Sequence, residues 1–259
     1  MKPLAFVLGI ALAIASGAEP RPVQTAPDVI AKVLAAQRTV GFTMRARLVT
    51  GEPGENEPAV VQVRILGRRD ATATRVLYQA LWPAGLKGQA VYIQRDRAEA
   101  VTGFLFEPPD RTTTLTGASL SQPLFDSELA LDDLVEEFWS WPNPIDVGED
   151  TVEKQRCRVI ELRAPARSAG SYDSVRACIS MSRMLPMRIE KVRSDGRVAR
   201  RFVVTRALKG DSGGWAPARI QVETPGRSRT TTIEVSRGER DIIVPASEFS
   251  LEKIKSLGK

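Results

Sequence analysis

Residues 210–214 read GDSGG, and a serine framed in this way can be the nucleophile of an acyl-transfer protease. Such a serine needs a base within hydrogen-bond reach, ordinarily a histidine. The chain has no histidine. Lys209 is a neighbour in a polar stretch that nothing orients, so it does not replace one. LKGDSGGW lies between two strand-like runs, RFVVTRAL and PARIQVET, and its glycines, Asp and Ser are the composition of a hairpin loop. Ser212 is therefore read as a turn residue. No catalytic residue is assigned, and the chain is not expected to be an enzyme.

Metal chemistry has little more to work with. Imidazole, the commonest transition-metal ligand, is absent. The densest acidic group is Asp126, Glu128, Asp132, Asp133, Glu136 and Glu137, but no D-x-[DN]-x-[DN]-G calcium loop surrounds it. These acids read as the solvated face of a helix, and neither a metal nor a cofactor is expected. Cys157 and Cys178 are the only cysteines. Their flanks, CRVIEL and SVRACIS, both look like strands, and folded as a hairpin they bring the two residues nearly opposite one another. In an oxidising compartment an even count predicts a disulfide, worth ~3 kcal/mol on the chain-entropy model.

Residues 1–18 indicate the compartment. Lys2, the apolar run from Leu4 to Ile14, and the small residues Ser16 and Ala18 before Glu19 read as a signal peptide. The run is short for a bilayer span, and no other long one follows. No cysteine follows the cut, so no lipid anchor is expected there. Residues 19–259 are then expected to be one soluble exported domain, monomeric and periplasmic. Lys and Arg number 37 against 31 Asp and Glu, a formal charge of +6. The arginines are spread among acids rather than gathered in a stripe, which argues against nucleic acid as a partner.

The elements that position these residues are mostly strands. Pro27 followed by DVIAKVLAAQ predicts a helix, with Val29, Ile30, Val33 and Leu34 on one face. TMRARLVT, VVQVRIL, TRVLYQALW, QAVYIQR and AVTGFLF follow, each ending at turn residues. After Pro144 come DVGEDTVE, the two cysteine strands, PMRIEKVR, RVARRFVVTRAL, PARIQVET and RTTTIEVS. The pair Asp195-Gly196 predicts a two-residue hairpin. In PARIQVET, Ala218, Ile220 and Val222 alternate with Arg219, Gln221 and Glu223. One face of an antiparallel meander is thus wet and the other apolar. A sheet of about a dozen strands must curl, and its concave apolar face must be covered.

The candidate cover is FDSELALDDLVEEFWSW. Leu131, Leu134, Val135 and Phe138 follow i, i+3, i+4, i+7 and predict one apolar helical stripe. Asp132, Asp133, Glu136 and Glu137 fall largely off it, and Trp139 and Trp141 extend the apolar surface past its end. Two readings of this helix stay open: an ordinary core helix, or a movable lid over a ligand cavity.

SELALDDL, residues 127–134, resembles the SDFSYEDL element of bacterial outer-membrane lipoprotein-sorting proteins, the LolA-like family. GLKGQAVYI, FLFEPPDRTTTL, MLPMRIEKVRSDGRV and VPASEFSLEKI resemble further family elements in the same order, so the resemblance spans roughly residues 28–257. Two departures stand out. The family's capping serine falls on Ala130, which cannot accept a capping bond, so the helix is expected to begin at Asp126 or Ser127. The family's aromatics are replaced by Leu129 and Leu131.

The resemblance implies a mainly β (α+β) half-barrel: one large curved antiparallel sheet with helices covering its concave face. It also implies a carrier of lipid or lipoprotein acyl chains, with an inner-membrane donor and an outer-membrane acceptor. The alternative within the same fold is an envelope-stress sensor that binds lipid and a protein partner. Leu131, Leu134, Val135, Phe138 and Trp139 would then line the lid. The family places a latch arginine just after the second strand, where Arg69 stands here, with Arg68 as the alternative.

Overall fold

The structure, a computed structural model, describes residues 24–37, 39–96, 100–134, 138–165, 172–210 and 213–257. The signal-peptide reading of residues 1–18, Val135, Glu136, Glu137 and Ser212 lie outside them. Thr25 and Asp28 exchange hydrogen bonds at 2.9 and 3.4 Å across the first turn of helix α1 (Ala26–Gln37). This reciprocal cap satisfies amides that would otherwise lack partners. The predicted apolar face of α1 is real: Val29, Ile30 and Val33 are buried.

The strands are β1 (Gly41–Gly51), β2 (Ala59–Arg69), β3 (Ala73–Trp82), β4 (Ala90–Asp96), β5 (Val101–Glu107) and β6 (Arg111–Leu115). The second series is β7 (Ile145–Val152), β8 (Gln155–Arg163), β9 (Ser174–Ser180), β10 (Leu185–Val192), β11 (Val198–Lys209), β12 (Trp215–Glu223) and β13 (Thr230–Arg240). Among the described residues these thirteen form one open sheet in the order β6-β5-β4-β3-β2-β1-β13-β12-β11-β10-β9-β8-β7. Each half is a meander, and the halves join where β1 pairs antiparallel with β13. The chain closes on helix α2 (Leu251–Leu257).

This order has one strong consequence. β6 and β7 follow one another in the chain but are opposite edges of the sheet, so residues 116–144 must cross its full width. Twelve inter-strand steps of about 4.8 Å make ~58 Å measured flat. An α-helix of that many residues would reach only ~44 Å. The crossing segment, hereafter the strap, is not the single helix predicted from residues 126–138. It is a chain of short 3-10 turns at Gly117–Ser121, Leu124–Asp126, Leu131–Leu134 and Phe138–Ser140. Phe125 and Asp126 take left-handed φ values of 48° and 57°, and Pro123 and Ala130 form an isolated antiparallel bridge. A left-handed pair and a bridge both interrupt a helix locally.

The outer face carries the wet half of the alternation as cross-strand ion pairs. Arg176 and Arg163 flank Glu161 at 3.0 Å each, and Arg201 joins Glu190 at 2.7 Å to Glu223 at 2.6 Å. Pairs with partly exposed arginines contribute little singly, but they use up arginines that a polyanion would need. Over β2–β5 the outer face is apolar instead, and Leu66, Leu77 and Phe106 pack there against Val244, Phe249 and Ile254 from the C-terminal segment. Two glycines shape the inner face and a turn. Phe42, paired with Gly67 across β1–β2, lays its ring where a Cβ would sit. Gly196, at φ 78°, closes the β10–β11 hairpin. That hairpin is not the two-residue turn predicted: Arg193 and Arg197 pair across a three-residue loop.

Cys157 and Cys178 are bonded, with Cα atoms 5.3 Å apart. Val159, not Cys157, stands directly opposite Cys178, so the bridge runs diagonally between β8 and β9. Alkylation of the non-reduced protein should therefore label neither cysteine, and full labelling of both under native conditions would contradict the bond. Replacing both with serine should cost about 2–4 kcal/mol in urea unfolding.

Candidate functional site

Residues directly opposed on neighbouring strands share a face, and following the pairings maps the inner one. Val91, Tyr78 and Ile65 lie on β4, β3 and β2. Leu48, Ile233 and Ile220 continue the row through β1, β13 and β12. Val222, Phe202, Ile189, Ala177 and Ile160 carry it to β8. This apolar surface runs almost edge to edge. The strap and α1 lie on it: Leu124, Leu129 and Leu131 pack on the β1–β4 side, whereas Phe138 and Trp141 pack with α1 on β8 and β9.

The predicted stripe is therefore split between two clusters. Leu131 is buried in the first, and half-buried Leu134 packs against it. Phe138 is buried in the second, with Trp139 partly buried beside it. Arg69 is the last residue of β2; its side chain is exposed, and its backbone N–H donates to the Val40 carbonyl at 3.0 Å. Arg68 donates to the Val244 carbonyl and pairs with Asp70. Gly210 and Gly214 close the β11–β12 hairpin around position 212. Among the described residues, no group of three His, Cys, Asp or Glu side chains is placed to hold a metal ion.

Polar groups break the apolar face at two places, and both bind the strap. Near its start, Thr50 and Thr231 share a buried hydroxyl hydrogen bond at 2.8 Å, and the Glu128 amide donates to Thr231 at 2.8 Å. Thr224 donates to the Glu128 carboxylate at 3.0 Å, and Arg229 donates to Asp126. Farther along, Lys191 of β10 and Arg200 of β11 are directly opposed on the inner face. Two like charges so placed repel, and the Asp133 carboxylate sits against both. Lys191 Nζ donates to Asp133 Oδ1 at 2.7 Å, with side-chain exposures of 2% and 0%. Arg200 Nε stands 3.2 Å from Asp133 Oδ2, an ion pair without hydrogen-bond geometry.

The solvated helix face predicted for the acids is thus corrected: Asp133 and Glu128 are buried and bonded to the sheet, and Asp126 and half-buried Asp132 flank them. The strap turns Glu128 and Asp133 inward because the groups that satisfy them are on the sheet, while the Asp126 side chain stays exposed. In β10, Met187, Ile189 and Lys191 share one phase; in β11, Arg200 and Phe202 do. A cation in the apolar phase of a strand was the signal that could have revealed this site.

The surroundings are dry. Lys191 Nζ lies 5.0 Å from the Tyr172 ring centre and 5.5 Å from that of Phe202. Burial pushes the Tyr172 phenol up to about 12, with the Asp133 charge adding to it, and the same two causes raise Tyr78. Burial also raises Tyr92. For Arg200, burial works against the charged form, yet the neighbouring Asp133, then Tyr172 and Asp132, leave its pKa raised.

An open antiparallel sheet whose apolar face is strapped by its own edge-to-edge connection defines the class, a mainly β single-sheet architecture. A family model described only as "Uncharacterized protein" matches residues 73–256. Among solved structures, a DUF1329 family protein from Desulfovibrio piger superposes with a TM-score of 0.80 at 16% identity, covering 91% of this chain and 100% of that one. A protein described as an outer-membrane lipoprotein-sorting domain, from Vibrio parahaemolyticus, follows at 0.77 and 14%, covering 89% and 98%. A LolA superfamily protein from Nitrosomonas europaea gives 0.68 and 20%, covering 88% and 98%. No curated protein matches significantly. The chain belongs to the family of that model, and its fold is that of the LolA-like structures.

The chain's 3 tyrosines all titrate above the ordinary phenol value of about 10. A raised folded-state pKa gives stability that is full below pH ~10 and lost as pH climbs through the folded value. Absorbance at 295 nm should show Tyr78 and Tyr172 silent through pH 10 and ionising with unfolding; a reversible step of two or more tyrosines near pH 10 in the folded protein would refute the packing described.

Proposed function

We propose that this chain is an exported periplasmic carrier that takes up lipid or lipoprotein acyl chains on the inner face of a curled sheet. It would receive them from an inner-membrane donor and deliver them to an outer-membrane acceptor. One observation carries the reading: an apolar face spanning nearly the whole sheet is covered by a connecting strap, not by a second sheet. A strap can leave without breaking a strand ladder. The similarity to a protein described as a lipoprotein-sorting domain supports the same reading. Among the described residues no helix is long and apolar enough to cross a membrane.

The energetics suit acyl cargo. Each buried methylene is worth ~0.8 kcal/mol, so a single long chain supplies on the order of 10 kcal/mol toward displacing the strap. Leu131, Leu134, Val135, Phe138 and Trp139 form the strap surface that alternates between the sheet and the cargo. Arg69 belongs to the same proposal as a second polar latch.

Replacing Leu134 with Asp puts a charge on the packed surface, costly only in the closed state. The variant should bind a fluorescent fatty acyl probe with an affinity changed about threefold or more, while circular dichroism still reports the sheet. A wild type that binds no acyl probe, with a variant that merely melts earlier, would remove the carrier reading. Arg69→Leu should retain cargo and slow its transfer to acceptor vesicles; unchanged transfer would leave Arg69 a surface residue.

A further inference from the structure

We infer that Lys191 and Arg200 form a subsite for the carboxylate head of a single-chain amphiphile, filled in this closed structure by the protein's own Asp133. The inference rests on the carrier reading and names its cargo class. Two directly opposed cations on a mainly apolar face are a poor way to stabilise a sheet. Replacing a buried ion cluster by apolar residues of similar size is often neutral or stabilising. The counter-charge comes from the strap, the element that leaves on loading, and not from a neighbouring strand.

The geometry is that of a carboxylate receptor. One oxygen of Asp133 takes the Lys191 ammonium at 2.7 Å, and the other faces the Arg200 guanidinium at 3.2 Å. Phe202 and Tyr172 wall the ammonium with aromatic rings, so water is kept from a charge pair that is strong only when dry. Apolar residues continue away from this point along the same face: Ile189 and Val175 toward β8, and Val222 toward β1. A fatty acid placed with its head at Lys191 would lay its tail along that row. Asp132, the other carboxylate near Arg200, is on the strap too and leaves with it.

The test compares dansyl-labelled undecanoic acid with its methyl ester on the disulfide-bonded protein. The ester can bind beside a seated Asp133, whereas the acid must compete with it. In Asp133→Asn the acid-to-ester affinity ratio should rise about tenfold, the scale of one charge-assisted contact. Adding Lys191→Met, which restores the cluster's net charge, should lower that ratio at least tenfold again while ester binding persists. General loosening of the strap tightens both probes alike, so a ratio that stays constant across wild type and both variants overturns the carboxylate subsite and leaves the carrier reading intact. Failure of folded wild type to bind either probe overturns both. If Asp133→Asn does not fold, Lys191→Met alone against wild type decides: with one of the two cations gone the acid-to-ester ratio should fall, and an unchanged ratio contradicts the subsite.

Discussion

The edge positions of β6 and β7 govern this molecule. Two strands that are consecutive in the chain cannot lie at opposite edges of a thirteen-stranded sheet unless their connection crosses a face. One face is apolar from β4 to β8, so the crossing connection is drawn onto it by the hydrophobic effect. Its composition follows from what it meets on the way. Leucines come first, over the aliphatic surface of β1–β4; aromatic residues come last, over β8, β9 and α1; a carboxylate stands between, where β10 and β11 present cations.

Apolar contacts alone would leave the strap free to slide, since burial is proportional to area and indifferent to register. The polar anchors supply the register. Thr231 can accept from only one strap amide, and a buried carboxylate can satisfy Lys191 and Arg200 from only one position along the segment. The cost is a buried charge cluster whose members depend on one another: removing Asp133 alone would strand two cations, a loss of about 3–5 kcal/mol in comparable buried pairs. The site is thus poised, stable when complete and costly when any member is removed.

Much of the sheet could be read from the chain. Alternation in PARIQVET placed Ile220 and Val222 inward and Arg219 outward, as the Ile233 and Glu234 pairings bear out. The helix after Pro27 and the cysteine bridge are equally plain, because periods and cysteine counts are local. The strap was misread for a physical reason. Leu131, Leu134 and Phe138 have helical spacing, but spacing reports only which residues seek cover, and two short turns can meet that demand as well as one helix. Which turns form depends on what the sheet presents beneath them, an arrangement set by the non-local pairing of its strands. Lys191 and Arg200 each stood in an apolar phase, yet only their pairing across β10–β11 makes a site of them.

In the carrier reading we propose, being tied at both ends makes the strap a workable gate. Its residues could extend to ~100 Å, well beyond the ~58 Å that twelve strand spacings require, so the middle has slack to rise while the edges stay anchored. The sheet has other supports meanwhile: Val244, Phe249 and Ile254 brace the outer face of β2–β5, and the Cys157–Cys178 bridge ties β8 to β9. A lifted strap remains tethered over the face it left, at an effective concentration set by its own length. Re-closure after cargo departs is therefore an intramolecular event. The same tether makes Asp133 a persistent competitor for the two cations, so that any anionic cargo held there meets, from the moment it binds, the group that will replace it.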